Sequence, residues 1–230
     1  MNIILKHIIS LIVFISLTTY LFSPVFFENK EIKQHDIEQW KYSANETIEF
    51  RKNNNEEALW SNSMFSGMPA YLIDIKWSNY IVSNIHKIYS VFFPHPVSNM
   101  LISFISFYIM LLCFRVKPEI ALFGSIAFTL SSYLIVGIAA GHNARIGTVA
   151  LLPLIIGGIH LCINRNRNLG FIITAVALAL QLRLNHLQIT YYTLFILIFY
   201  GSNQLIYHYY KNKIKFYLKR ILVLMIAAML

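Results

Sequence analysis

The chain has 230 residues, 57% of them hydrophobic and 13% charged, with a net charge of +9 and a mean hydropathy of +0.57. A soluble domain carries about a quarter charged residues, so this composition excludes an ordinary soluble domain and predicts an integral membrane protein. The positive balance is not that of a nucleic-acid binder, because the Lys and Arg residues stand in short turns between apolar runs rather than massed on one polar face.

Lys6 and His7 precede an apolar run from Ile8 to Phe27. A spanning helix needs about 20 such residues. The run ends in the bulky Phe22-Ser-Pro-Val-Phe-Phe27, without the small-x-small site of a cleaved signal peptide. Residues 1–27 therefore read as an uncleaved first span.

Residues 28–98 form the one long polar interval. It holds nine of the ten acidic residues and all three tryptophans, Trp40, Trp60 and Trp77. Ile37, Trp40, Ala44 and Ile48 recur at helical spacing and predict a short amphipathic helix, ended by Asn53-Asn54-Asn55. The run Trp60-Ser-Asn-Ser-Met-Phe-Ser-Gly-Met-Pro-Ala-Tyr71 contains turn-forming small residues between apolar anchors. Trp60, Met64, Phe65, Gly67 and Met68 either line a groove at the membrane edge or anchor the loop among headgroups. Ile81, Ile85, Ile88 and Phe92 make a second interfacial stripe, and Phe93-Pro-His-Pro96 ends it.

From residue 97 to 230 the chain reads as a helical bundle. The expected spans are Val97–Phe114, Ile120–Ala140, Ile146–Ile163, Leu169–Leu184 and Leu187–Tyr207, with a last run from Ile221. Leu169–Tyr207 is too long for one span, so it must fold back near Arg183–Gln188, although neither proline nor glycine marks the turn. Lys211 to Arg220 reads as a turn. The last run is half a span, which predicts a chain that continues as a longer polytopic protein. The fold class is all-α: a transmembrane bundle of about seven spans, the last truncated, with a large extracytoplasmic first loop.

Orientation follows from the bases. Lys6, then Arg115 and Lys117, then Arg165 and Arg167, then the Lys211–Arg220 group fall on alternate sides of successive spans. All lie in the cytosol if the amino terminus does. The loop 28–98, the turn Gly141–Arg145 and the turn Arg183–Gln188 then share the outer face. Cys113 and Cys162 have no CxxC spacing and read as small buried hydrophobes.

Three polar clusters meet that face: Gln34-His-Asp36, Gly141-His142-Asn143 with Arg145, and Arg183-Leu-Asn185-His186-Leu-Gln188. Arg145 and Arg183 break the inside preference of the other inter-span bases. Each either snorkels to headgroups or offers its guanidinium fork to a phosphate oxyanion. Asp36 is either a solvated loop carboxylate or a general base for an acceptor hydroxyl. His142 and His186 are either hydrogen-bonded side chains or, with Asp36, ligands for a divalent ion. The spacing assigns no metal set.

These runs carry a resemblance. Gln34-His-Asp-Ile-Glu-Gln-Trp40, Met64-Phe-Ser-Gly-Met-Pro69, Ser131-Ser-Tyr133, Gly141-His-Asn143 and Asn185-His-Leu-Gln-Ile-Thr-Tyr-Tyr192 look like the amino-terminal part of the YfhO family of bacterial multi-span membrane proteins. That family resembles the GT-C glycosyltransferases, which have a large first outer loop bearing an acidic residue and use polyprenyl-phosphate sugars as donors. The resemblance implies an inner-membrane protein with a lipid-linked sugar as its donor, membrane lipid as its partner and Asp36 in the catalytic acid/base position. Arg145, Arg183, His142, Asn143, Asn185 and His186 are the candidates for the donor phosphate. The second acidic residue that some GT-C members carry in a later outer loop is missing from Gly141–Arg145. Two other classes remain open: a transporter or flippase of lipid-linked precursors, and a non-catalytic envelope protein.

Overall fold

Asn2 opens the first helix by accepting the Ile4 amide through its side chain (3.2 Å). The structure, a computed structural model, describes residues 2–74, 76, 81, 82, 84, 87 and 93–229. Helix α1 (Ile3–Leu21) stops at Phe22, and α2 (Ser23–Phe27) restarts with Pro24 in its first turn. The single span expected over Ile8–Phe27 is thus two helices. Pro24 lacks the amide that would have continued α1.

Helix α3 (His35–Asn54) carries Asp36 and Glu38 in its first turn and Arg51 and Lys52 in its last, both matched to the helix dipole. Asn55, at φ 54°, ends it. At 20 residues it is longer than the short helix expected; the apolar spacing of Ile37–Ile48 marks only its middle. A two-residue hairpin follows, β1 (Trp60–Ser61) antiparallel to β2 (Met68–Pro69), and then a 3₁₀ turn, Ala70–Leu72. Trp77 and the stripe residues Ile85, Ile88 and Phe92 lie outside the described residues.

The loop is stapled to α3. Glu46 accepts from the Ser61 hydroxyl (2.7 Å) and from the Asn62 and Ser63 amides (3.0 and 2.8 Å). Arg51 donates to Glu57 and Asp74, both at 2.8 Å, and the Trp40 indole donates to the Ile73 carbonyl (2.9 Å).

The remaining helices are α4 (Val97–Cys113), α5 (Pro118–Thr129), α6 (Ser132–Ala140), α7 (Asn143–Asn164), α8 (Arg167–Arg183), α9 (Leu187–Tyr210) and α10 (Ile214–Met229), which makes ten among the described residues. The protein is all-helical. Helices α1 and α7 are long and apolar enough to cross a membrane, and α5 with α6, bent by 44°, make a third candidate if counted together. The expected span Ile120–Ala140 is that bent pair. Ser131 adopts an extended backbone (ψ 143°), and its carbonyl starts α6 by accepting the Leu134 and Ile135 amides. The expected turn Lys211–Arg220 also shrinks. Helix α10 begins at Ile214 and carries Lys215, Lys219 and Arg220 on its own turns.

Helix α7 is the centre of the bundle. Gly157 lies against Met110 of α4, Gly158 against Thr174 of α8, and Gly170 of α8 against the Cys162 backbone. Small residues of this kind let apolar helices approach closely without a hydrophobic driving force. Phe14, Met100, Phe104, Tyr108, Leu134 and Ile146 form the buried cluster joining α1, α4, α6 and α7.

The two ends of the bundle differ in chemistry. At one, Lys6 pairs with Glu119, the Tyr108 hydroxyl meets His7 Nδ1 (2.7 Å), Phe114 stacks on His160, and Arg115 and Arg165 lie within electrostatic reach of each other. At the other end meet the start of α3, the α6–α7 corner and the α8–α9 turn.

Candidate functional site

Gly141 makes the α6–α7 corner possible. It closes α6 at φ 102°, and a Cβ there would sit 3.1 Å from Gln34 Cβ, 3.2 Å from the Ile37 amide and 3.3 Å from Asp36 Cβ. Only a residue without a side chain tolerates both that backbone and that contact. The start of α3 therefore lies directly on the corner.

Gln34 locks this approach. Its Nε2 donates to the Ile138 carbonyl (2.5 Å) and to Asn143 Oδ1 (3.0 Å), and Asn143 Nδ2 donates back to Gln34 Oε1 (2.9 Å). Asn99, from the first turn of α4, donates to the Asn143 carbonyl (3.1 Å). Gln34, Asn99 and Asn143 are all buried. A buried amide network of this kind holds only if its members are paired, and the reciprocal bonds pair the two primary amides.

The lock presents Asp36 to His142. Asp36 Oδ2 is 3.0 Å from His142 Nδ1, and both side chains remain 41% exposed, open to a ligand. On the next turn of α7, the Arg145 guanidinium lies 5.4 Å from the Tyr133 ring centroid. The Nε atoms of Arg145 and Arg183 are buried and have no hydrogen-bond partner among the described residues. No acidic residue follows Glu119 in the sequence, so neither arginine has a carboxylate nearby in its own half of the chain.

The α8–α9 turn completes the cluster. Asn185 takes a left-handed φ of 55° and donates to the Tyr71 carbonyl (2.7 Å), tying the turn to the first loop. His186 caps α9 by accepting the Ile189 amide at Nδ1 (3.4 Å). Burial holds the His186 imidazole below its ordinary value, and the nearby charges of Arg145 and His142 push the same way.

The three polar clusters expected to converge do so. Asp36, His142, Arg145 and His186 lie together, and Arg183 ends α8, three residues before His186 in the sequence. Asn143 and Asn185 are present, but their amides serve other ends. Asn143 holds Gln34 and Asn185 holds Tyr71, so both tie the loop to the bundle. Gln34 and Gly141 stood in the expected clusters without a role of their own, and Asn99 was not expected. Asn99 carries a signal in hindsight, a polar side chain at the start of an apolar span.

Trp60, Met64, Phe65, Gly67 and Met68 belong to the hairpin rather than to the Asp36 cluster. The Trp60 ring lies across Gly67, where a Cβ would meet its Nε1 at 2.7 Å, while Phe65 at the tip is 85% exposed. Among the described residues, no group of three or more His, Cys, Asp or Glu side chains comes together to hold a metal ion, so His186 does not complete a ligand set with Asp36 and His142. No protein-family model, curated protein or solved structure matches the chain.

Proposed function

We propose that the chain is a multi-span, GT-C-like protein of the bacterial inner membrane, similar to the YfhO family, that moves a sugar from a polyprenyl-phosphate donor to an envelope acceptor at the outer leaflet. Its amino terminus is cytoplasmic and residues 28–98 face outward. One observation carries this reading: the Asp36–His142 pair at 3.0 Å stands near the Arg145 guanidinium, whose buried Nε has no hydrogen-bond partner among the described residues. An acid/base pair near a guanidinium suits transfer from a phosphate ester. The base takes the proton of the acceptor hydroxyl, and the cation stabilises the departing phosphate.

Arg145 and Arg183 bind the donor phosphate, and His186 lies on the same side. The lipid tail would run down between helices, whose exposed surfaces are dominated by Ile, Leu, Phe and Tyr side chains. A translocating protein would instead place polar residues on broken helices near mid-membrane. Here the paired Asp and His gather at one end of the bundle with Arg145 and His186.

The test uses membrane vesicles carrying the intact protein, supplied with polyprenyl phosphates bearing a radiolabelled hexose or N-acetylhexosamine. Label should pass from lipid into envelope polymer, and Asp36→Asn should lower that transfer by about 10²-fold or more. Transfer at the wild-type rate by Asp36→Asn removes Asp36 from the chemistry. Label that crosses the bilayer while staying on its lipid makes the protein a translocator.

A further inference from the structure

The Asp36–His142 pair has a direction. An ionised carboxylate only accepts hydrogen bonds, and Asp36 Oδ2 lies 3.0 Å from His142 Nδ1, so the carboxylate favours the tautomer that carries its proton on Nδ1. In a neutral imidazole this leaves the lone pair on Nε2, at the opposite edge of the ring. Nε2 has no protein partner among the described residues, and the side chain is 41% exposed. The carboxylate stands in the first turn of α3, whose start is fixed in place: Gln34, two residues before Asp36, is bonded to both Ile138 and Asn143. That anchoring suits a group whose work is to orient its neighbour.

We infer that His142 Nε2, and not the Asp36 carboxylate, is the atom that takes the acceptor's proton, with Asp36 as the positioning residue that fixes the ring and its tautomer. This rests on the glycosyl-transfer reading and goes further by assigning the base. The arrangement has the logic of a histidine base oriented by a carboxylate. The acceptor O–H gives its proton to Nε2 as its oxygen forms a bond to the sugar anomeric carbon. The bond from that carbon to the phosphate oxygen breaks, and its electron pair leaves with the polyprenyl phosphate. The imidazolium, facing Asp36 on α3, is stabilised by that carboxylate and afterwards returns the proton to the phosphate or to water. His186 at the α8–α9 turn lies within electrostatic reach of both His142 and Arg145.

Two substitutions separate this from a structural role. The side-chain amide of asparagine overlays Nδ1, so His142→Asn keeps a donor for Asp36 and removes only Nε2. His142→Gly removes the ring and leaves room for added imidazole. In the vesicle assay with polyprenyl-phosphate hexose, His142→Asn should lose about 10²- to 10⁴-fold in kcat with little change in donor KM, and imidazole should restore transfer to His142→Gly. Wild-type kcat in His142→Asn overturns the assignment. So does restoration of Asp36→Gly by formate when imidazole does nothing for His142→Gly, which would return the base to the carboxylate. Absence of transfer by the wild-type protein with every donor overturns the functional reading itself, and this assignment with it.

Discussion

Glu46 shows how one side chain organises the polar loop. Its carboxylate accepts from the Asn62 amide, the Ser61 and Ser63 hydroxyls and the Ser63 amide, and these hydrogen bonds bring its pKa from 4.5 down to about 2. The sign of the linkage follows. A carboxyl whose folded pKa is depressed contributes its full anchoring above the unfolded value, and loses it as pH falls toward the folded one. The hairpin should therefore stay docked on α3 down to about pH 4.5 and loosen progressively as pH approaches about 2. Glu46→Gln should loosen it already at neutral pH, because the amide offers one accepting oxygen where the carboxylate offers two. Hydrogen exchange at the Asn62 and Ser63 amides reads this directly. Unchanged protection in Glu46→Gln at pH 7 would mean that the Arg51 bonds to Glu57 and Asp74 and the Trp40–Ile73 bond hold the loop on α3 without Glu46.

Individual residues also show where the sequence was readable. The fold-back near Arg183–Gln188 was deduced from length, without a glycine or proline to mark it. Asn185 makes it, being one of the few non-glycine residues that accept a left-handed backbone. The Gln34–Asn143 pairing was not readable. Its partners are 109 residues apart, and neither amide differs in sequence from a solvated one.

At the scale of elements, the tight seam is α7 against α8, and glycines decide it. A Cβ at Gly158 would sit 2.9 Å from the Thr174 amide and 2.6 Å from its hydroxyl. At Gly201 in α9 the nearest such atom is the Tyr217 hydroxyl at 3.5 Å, an ordinary contact. Alanine in a helix is favoured over glycine by roughly 0.5–1 kcal/mol, whereas forcing atoms into a packed seam costs about 1–3 kcal/mol. The two substitutions should therefore differ in sign. Gly201→Ala should leave thermal unfolding in detergent unchanged or slightly raised, and Gly158→Ala should lower it. Equal midpoints would show that α8 can move away from α7 at no cost, and the Gln181–Thr148 hydrogen bond across that seam would then be incidental.

Element boundaries were the least legible part of the sequence, for physical reasons. Hydropathy averages over a window, so the bend at Leu130–Ser131 vanished into one apolar run. The same averaging turned the first half of α10 into a polar turn. Lys215, Lys219 and Arg220 are spaced for a helix that is charged on one side, a pattern that charge counting discards. Pro24, by contrast, was visible, and the break it causes could have been placed.

At the scale of the molecule, everything proposed depends on which groups share an end. Bases of successive turns were assigned to one side from charge alone, and the contacts agree: Lys6 reaches Glu119, and Arg115 lies near Arg165. The loop and turn clusters gather at the opposite end through Gln34–Asn143, Asp36–His142 and Asn185–Tyr71. Since these are contacts within the protein, they fix the relation of the clusters to one another, and the charge rule adds which side of the bilayer they face. Single cysteines separate the two statements. With the buried Cys113 and Cys162 replaced by serine, Glu38→Cys, Ala144→Cys and Gln188→Cys sample the three clusters at exposed positions, and Lys117→Cys, Asn166→Cys and Asn212→Cys sample the basic end. An impermeant maleimide applied to intact cells should label positions 38, 144 and 188, and should reach 117, 166 and 212 only after the membrane is opened. The reverse pattern would keep the cluster and move it to the cytosolic side, which ends the outer-leaflet reading. A split within the first group would take the cluster apart, because a carboxylate and an imidazole on opposite sides of a bilayer cannot meet at 3.0 Å.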